Sequence, residues 1–157
     1  MGRQGPAPNG EPEREEAGLG TFAHSFQLET RGFTDVHDVT EEVEGAIRRS
    51  GLAEGIAAVS VPGSTAGVTT IEFESGAVED LKEAIGRLAP EGIPYAHDAR
   101  WGDGNGFAHV RAALLGPGVC LPFRGGALVT GTWQQIVLVD FDNRPRRRRV
   151  EVQLVGE

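Results

Sequence analysis

The chain is poor in several residues that would fix a fold or a fate on their own. It has one cysteine in 157 residues, so no internal disulfide can form and a disulfide-stapled secreted scaffold is excluded. That residue stands in Val119-Cys120-Leu121, which reads as a buried, inert thiol rather than a nucleophile. No apolar run approaches the roughly 20 residues of a spanning helix, so no membrane partner is expected. The N-terminus lacks an apolar signal core, and the chain therefore reads as cytoplasmic. Lys82 is the only lysine, a compositional feature without mechanistic content. What remains, 39% hydrophobic and 24% charged residues, suits one globular domain with its own core.

The formal charge of −8 is unevenly spread: residues 1–20 carry −2, residues 142–157 carry +2, and the stretch between holds −8. An acidic body is a poor general partner for nucleic acid or anionic membranes. The Arg146–Arg149 run contains no aromatic residue for base stacking, so a solvated hairpin or a subunit salt-bridge network is expected of it. Residues 1–20 are Gly-, Pro- and Glu-rich and read as a disordered acidic tail. A single domain is expected over residues 21–157.

Period-two alternation predicts strands over 24–30, 33–39 and 68–74, and a continuous apolar run predicts a buried strand over 55–61. Thr40-Glu41-Glu42 opens one helix, ended at Gly51. Ser75 is expected to cap a second, reaching Leu88 through Val78, Leu81 and Ile85. A short helix is expected over 108–115, and strands over 119–123, 127–130, 135–141 and 148–155. The order predicts an α+β fold with a largely antiparallel sheet, two longer helices and one short one.

Between Pro94 and Gln135 the pattern turns polar and Gly-rich. His97-Asp98, Asp103-Gly104-Asn105-Gly106 and His109 fall close together, and Gly131-Thr132-Trp133-Gln134-Gln135 follows. Such a run reads as a loop-built site on a rigid scaffold. Imidazoles bind divalent ions or move protons, so His97 and His109 are the first candidates, with Glu72 as third ligand or general base. Pro62-Gly63-Ser64-Thr65-Ala66-Gly67 places backbone N–H groups and the Ser64 and Thr65 hydroxyls where an anion could rest, although by its residues alone the stretch reads first as an ordinary turn. Asn105 can orient a substrate or an imidazole, Arg111 can meet an anion one turn beyond His109, and Gln134 can contact substrate. His24 and His37 read as surface or satisfied core residues. Direct pairing of His37 with Asp38 is disfavoured because adjacent strand residues point to opposite faces.

The segment Asp103-Gly104-Asn105-Gly106-x-x-His109-x-Arg111-Ala112-x-Leu114-Leu115-Gly116-Pro117, followed by Gly131-Thr132-Trp133-Gln134-Gln135-Ile136, resembles the YjbQ-like family. So do Ser64-Thr65-Ala66-Gly67, Glu72-Phe73-Glu74 and Asp140-Phe141-Asp142-Asn143-Arg144-Pro145. The likeness is co-linear over roughly residues 22–157. It implies a mixed, largely antiparallel sheet curled into a half-barrel, a homotrimer with sites near the subunit contacts, and a bound divalent metal (Zn or Mg) beside the histidines. It also implies a weak, secondary thiamine-phosphate synthase activity on small phosphorylated substrates. Where much of the family has His this chain has Gly63, and where one branch has His it has Phe107; together these remove two possible imidazole ligands. The alternative is a non-catalytic, metal- or small-ligand-binding homotrimer.

Overall fold

The computed structural model describes residues 18–157. The expectation of a disordered tail falls almost wholly outside them. Eight strands and four helices follow in the order β1 (Gly20–Thr30), β2 (Asp35–Asp38), α1 (Thr40–Ser50), β3 (Glu54–Ser60), β4 (Ala66–Ile71), α2 (Ser75–Leu88), α3 (Ala96–Trp101), α4 (Gly106–Leu115), β5 (Gly118–Arg124), β6 (Ala127–Leu128), β7 (Gln135–Asp140) and β8 (Arg146–Gly156). The class is α+β, as the pattern predicts.

The strands form a five-stranded sheet, β1-β8-β3-β5-β6, and a three-stranded sheet, β2-β7-β4, curled into a half-barrel. Every pairing among the described strands is antiparallel. Alternation along β8 turns Val150, Val152 and Leu154 inward, where they meet Val43, Ala46 and Ile47 of α1 and Val68, Ile136 and Leu138 of the smaller sheet. A second cluster, Ile85, Phe107, Ala108, Ala112, Val137, Val139 and Phe141, seats α2 and α4 on the other side of β7. Burying β7 on both faces explains its unbroken apolar run. No described helix is long and apolar enough to cross a membrane.

Four expectations are corrected. The segment read as a loop after Pro94 contains α3, which buries none of its six residues and so leaves no apolar period to detect. The strand expected from Phe33 begins at Asp35, because Phe33 and Thr34 adopt positive φ (53° and 65°) in a turn held by Phe33 N donating to Asp142 O at 2.7 Å. The cap of α2 is Glu74, whose carboxylate accepts from Ala77 N, and Ser75 is the first helical residue. Cys120 is exposed, because alternation along β5 sends it to the outer face.

Candidate functional site

Helices α3 and α4 are joined at a tight backbone-to-carboxylate contact. Gly106, the first residue of α4, donates its N–H to Asp98 Oδ1 at 2.8 Å. An added Cβ at Gly106 would lie 2.5 Å from Tyr95 Cβ, so only glycine permits this approach. The junction brings the rings of His97 and His109 to a centroid separation of 4.3 Å, tilted by 44°. His97 Nε2 lies 3.2 Å from Asp103 Oδ2. The buried amide of Asn105 sits between Asp142 Oδ1, 3.5 Å away, and His97 Nε2 and both Asp103 carboxylate oxygens, each 3.2 Å away. With its NH2 group turned toward the imidazole and the carboxylate the amide donates to His97 and Asp103, in place of the donation to Asp142.

The facing wall is built by β8 and the Gly63-Ser64-Thr65 loop. Arg148 donates from Nε to Asp140 Oδ2 at 2.6 Å and from Nη2 to Asp140 Oδ1 at 2.8 Å. Its Nη2 also reaches Thr65 Oγ1 at 2.7 Å, and Thr65 donates to Asp142 Oδ2 at 3.0 Å. Arg146 donates from Nε to the same Asp142 oxygen at 2.7 Å. Both carboxylates are fully buried, a state they can hold only because they are paired. Burial alone would raise the Asp142 pKa, but hydrogen bonds from Arg146, the Asn143 N–H and Thr65 outweigh it and hold the carboxyl below its ordinary value.

Between these walls lies an open pocket of about 540 Å³, lined by Gly63, Ser64, Thr65, His97, Trp101, Asp103, Asn105, His109, Arg146 and Arg148. Of the residues singled out from the sequence, His97, His109, Ser64, Thr65 and Asn105 line it. The Thr65 hydroxyl is already committed as donor and acceptor, so only Ser64 on that loop keeps a free hydroxyl among the described residues.

Three other candidates lie elsewhere. Glu72 is exposed just past the end of β4. It is six positions along the chain from Ala66 at the pocket end of that strand, about 20 Å at ~3.3 Å per residue. Arg111 is buried, donating to Ala89 O at 2.9 Å, Thr34 Oγ1 at 3.0 Å and Glu91 Oε1 at 3.1 Å, so it ties α4 to the loop after α2. Gln134 bonds the Gly131 N–H at 3.1 Å and Thr70 Oγ1 at 3.1 Å, closing its own turn. Within one subunit Glu72 therefore does not join the two histidines. The acidic and imidazole groups that do converge, with ligand atoms within 4.8 Å of one another, are His97, Asp98 and Asp103.

Sequence reasoning missed Arg146, Arg148, Asp140 and Asp142. For the arginines the signal was present: they stand two apart on β8, the spacing that puts both on one strand face, whereas Asp142 lies in the turn beyond β7. The expectation of a solvated arginine run holds for Arg147 and Arg149, which pair with Glu29 and Glu151, and fails for the other two. The same rule applies to His37, whose partner is Asp35, two residues back at 2.8 Å, and not Asp38. His24 is not satisfied among the described residues: its Nε2 is buried without a hydrogen bond to them, 4.0 Å from Glu42.

A family model described as UPF0047 protein YjbQ-like matches residues 24–157. The chain belongs to the YjbQ-like family. A UPF0047 protein of Archaeoglobus fulgidus is 37% identical over 126 residues, covering 80% of this chain and 95% of the relative. The UPF0047 protein YugU of Bacillus subtilis is 32% identical over 133 residues, covering 84% and 98%. Among solved structures, a YbjQ-like protein of unknown function from Sulfolobus solfataricus superposes with a TM-score of 0.85 at 31% identity, covering 89% of this chain and 100% of that one. A hypothetical protein from Aeropyrum pernix gives 0.79 at 36% identity, with 86% and 98% covered.

The two departures from the YjbQ-like pattern have unequal weight. Phe107 is buried, stacked on Phe33 at 6.4 Å and lying 4.8 Å beneath the Arg111 guanidinium. A side chain at 107 points into the second core cluster, so its identity takes nothing from the pocket. Gly63 does line the pocket, and there the missing side chain matters.

Proposed function

We propose that the pocket binds a small phosphorylated molecule and catalyses transfer at it, with thiamine-phosphate synthesis as the reaction. The observation that carries this reading is the presence, in one open pocket, of two imidazoles 4.3 Å apart facing two guanidiniums on β8. In that reaction a pyrimidine-methyl diphosphate gives up pyrophosphate while its methylene carbon bonds to the ring nitrogen of a thiazole phosphate. The protein's part is to hold the leaving diphosphate and to move or hold protons at the imidazole nitrogens.

A divalent ion belongs to the reading. Among the described residues, Asp98, Asp103, Asp140 and Asp142 stand against Arg146 and Arg148, which leaves two carboxylates uncompensated when both imidazoles are neutral. A bare polyanion would meet a net negative surround. One imidazole and two carboxylates form a donor set that suits zinc or magnesium, and His97, Asp98 and Asp103 would hold the ion. Such an ion, when bound, neutralises charge on the leaving phosphate oxygens. A homotrimer is part of the same proposal, supported by Ile56, Pro122 and Val155, which leave an exposed apolar patch on the outer face of the larger sheet.

The test is incubation of the purified chain with both precursors, with and without Mg²⁺ or Zn²⁺, reading thiamine phosphate and released pyrophosphate. Product that disappears in a His97→Ala, His109→Ala double variant is the expected result. No product under any metal condition leaves the second reading, a non-catalytic ligand-binding homotrimer. One observation favours that reading: Gly63 supplies no imidazole to the pocket wall.

A further inference from the structure

Arg148 is held on more sides than a surface-facing arginine needs. Its Nε–Nη2 edge forms a side-on fork with Asp140, and the remaining Nη2 proton goes to Thr65. Asp140 itself accepts from Thr30 Oγ1 at 2.5 Å, and Thr65 is anchored by Asp142. The guanidinium is therefore fixed in one orientation, with side-chain exposure of 10% against 0% for Asp140. One group is left over. Nη1 has no hydrogen-bond partner among the described residues, and it lies beside Gly63, where an added Cβ would sit 3.2 Å from it. Gly63 has φ of 148°, a conformation that side-chain-bearing residues rarely adopt.

We propose that Arg148 Nη1 is the contact that selects a phosphate group in this pocket, and that Gly63 is side-chain-free so that this contact stays open. The inference rests on reading the pocket as a phosphorylated-ligand site, and it adds which atom recognises the phosphate and why. A planar carboxylate is best gripped by an arginine fork, and the fork of Arg148 is already spent on Asp140. What the wall offers instead is separate donors from different directions: Arg148 Nη1, the Arg146 guanidinium and the Ser64 hydroxyl. Separate donors suit a tetrahedral oxyanion with several acceptor oxygens. A donor already immobilised by buried carboxylates needs no reorganisation when the anion arrives, which favours binding and transition-state stabilisation alike. The pocket is thus divided, with phosphate on the β8 side and proton or cation chemistry on the His97, Asp98 and Asp103 side.

The experiment is calorimetric titration of the full chain with inorganic pyrophosphate, with and without Mg²⁺, using malonate as the carboxylate control. Arg148→Lys keeps a charge opposite Asp140 but has no Nη1, and Gly63→Ala places a methyl group over that atom. Each is expected to weaken pyrophosphate binding about 10- to 100-fold, the worth of one hydrogen bond to a charged group. Arg149→Ala, on the outer face, is expected to bind like the parent chain. The unmodified protein is expected to prefer pyrophosphate to malonate by at least about 10-fold. If the unmodified chain binds no pyrophosphate in either condition, the reading of the pocket itself fails. If it binds pyrophosphate but malonate equally well, the selection proposal is overturned while the pocket stands. Selection is overturned in the same way if the chain binds pyrophosphate and both variants bind within twofold of it. The malonate comparison needs no substitution, so it decides the matter even where a variant does not fold.

Discussion

Gly106 and Asp98 are joined by one backbone-to-carboxylate hydrogen bond of 2.8 Å, and that bond sets where His97 stands relative to His109. Each histidine belongs to its own short helix, and the helices meet at this point. Gly106→Ala would force a Cβ to within 2.5 Å of Tyr95 Cβ and 3.0 Å of Asp98 Oδ1. Overpacking of this kind typically costs about 1–3 kcal/mol. We expect a lower melting temperature together with loss of pyrophosphate binding. A Gly106→Ala protein with parental affinity would show that the junction does not position the site.

The Arg148–Asp140 pair supports stability as well as the pocket. Arg148→Met leaves a fully buried carboxylate without its counter-charge. The expected loss is about 3–5 kcal/mol in urea unfolding, and Arg148→Met combined with Asp140→Asn should recover a large part of it. If the double variant is no more stable than the single one, uncompensated charge is not the cause.

Acid sensitivity follows from Asp35 and Asp142. Burial raises the pKa of Asp35, but the Arg31 N–H, His37 and the Arg31 guanidinium more than offset it, so both groups titrate below their ordinary range when folded. A depressed folded pKa means that the stabilisation is fully present above the unfolded value of about 3.9 and is lost as pH falls through the folded value. Melting temperature should therefore be insensitive to these two groups between pH 7 and about 5, and should drop below about pH 4. Asp142→Asn should melt lower at pH 7 and lose less on further acidification. Scanning calorimetry from pH 7 to 2 checks the slope, and identical acid slopes in the two proteins would refute the assignment.

Phe107 tests whether sequence departures near a site are departures of the site. Phe107→Ala empties a position in the second core cluster and should cost about 3–5 kcal/mol. Phe107→His should be destabilising too, and should leave Zn²⁺ or Mg²⁺ affinity unchanged, because position 107 faces the core. Tighter metal binding by the histidine variant would contradict this geometry.

Trp101 offers an optical readout. The chain has two tryptophans, both exposed, and of these Trp101 alone lines the pocket. In a Trp133→Phe background, thiamine phosphate should quench the remaining emission, and in a Trp101→Phe background it should not. Equal quenching in both would place the ring-bearing ligand elsewhere.

The alternation of β1 and β8 and the apolar spacing of α2 were legible because each of these elements turns one face toward the core and the other toward solvent, a contrast that leaves a period in the chain. Helix α3 left none because it buries nothing. Among the site residues, His97 and His109 were visible by their chemistry and by the glycines around them. Glu72, Arg111 and Gln134 had suitable chemistry and nearby positions, but the direction of β4 and the packing of α4 and of the Gly131–Gln134 turn carry them away from the pocket.

By itself, then, the sequence determined an α+β chain with an acidic body, its main strands and long helices, and a polar Gly-rich stretch bearing two imidazoles. Side-chain period and composition are local properties and survive in one dimension. Only the tertiary structure decided which charges share the pocket. Arg148 is eight residues from Asp140 and 83 from Thr65. Such a network exists only when the β7–β8 turn and the β3–β4 loop are folded against each other. Burial then makes pairing obligatory, since a carboxylate removed from water must find its counter-charge, and no spacing rule along the chain encodes that search.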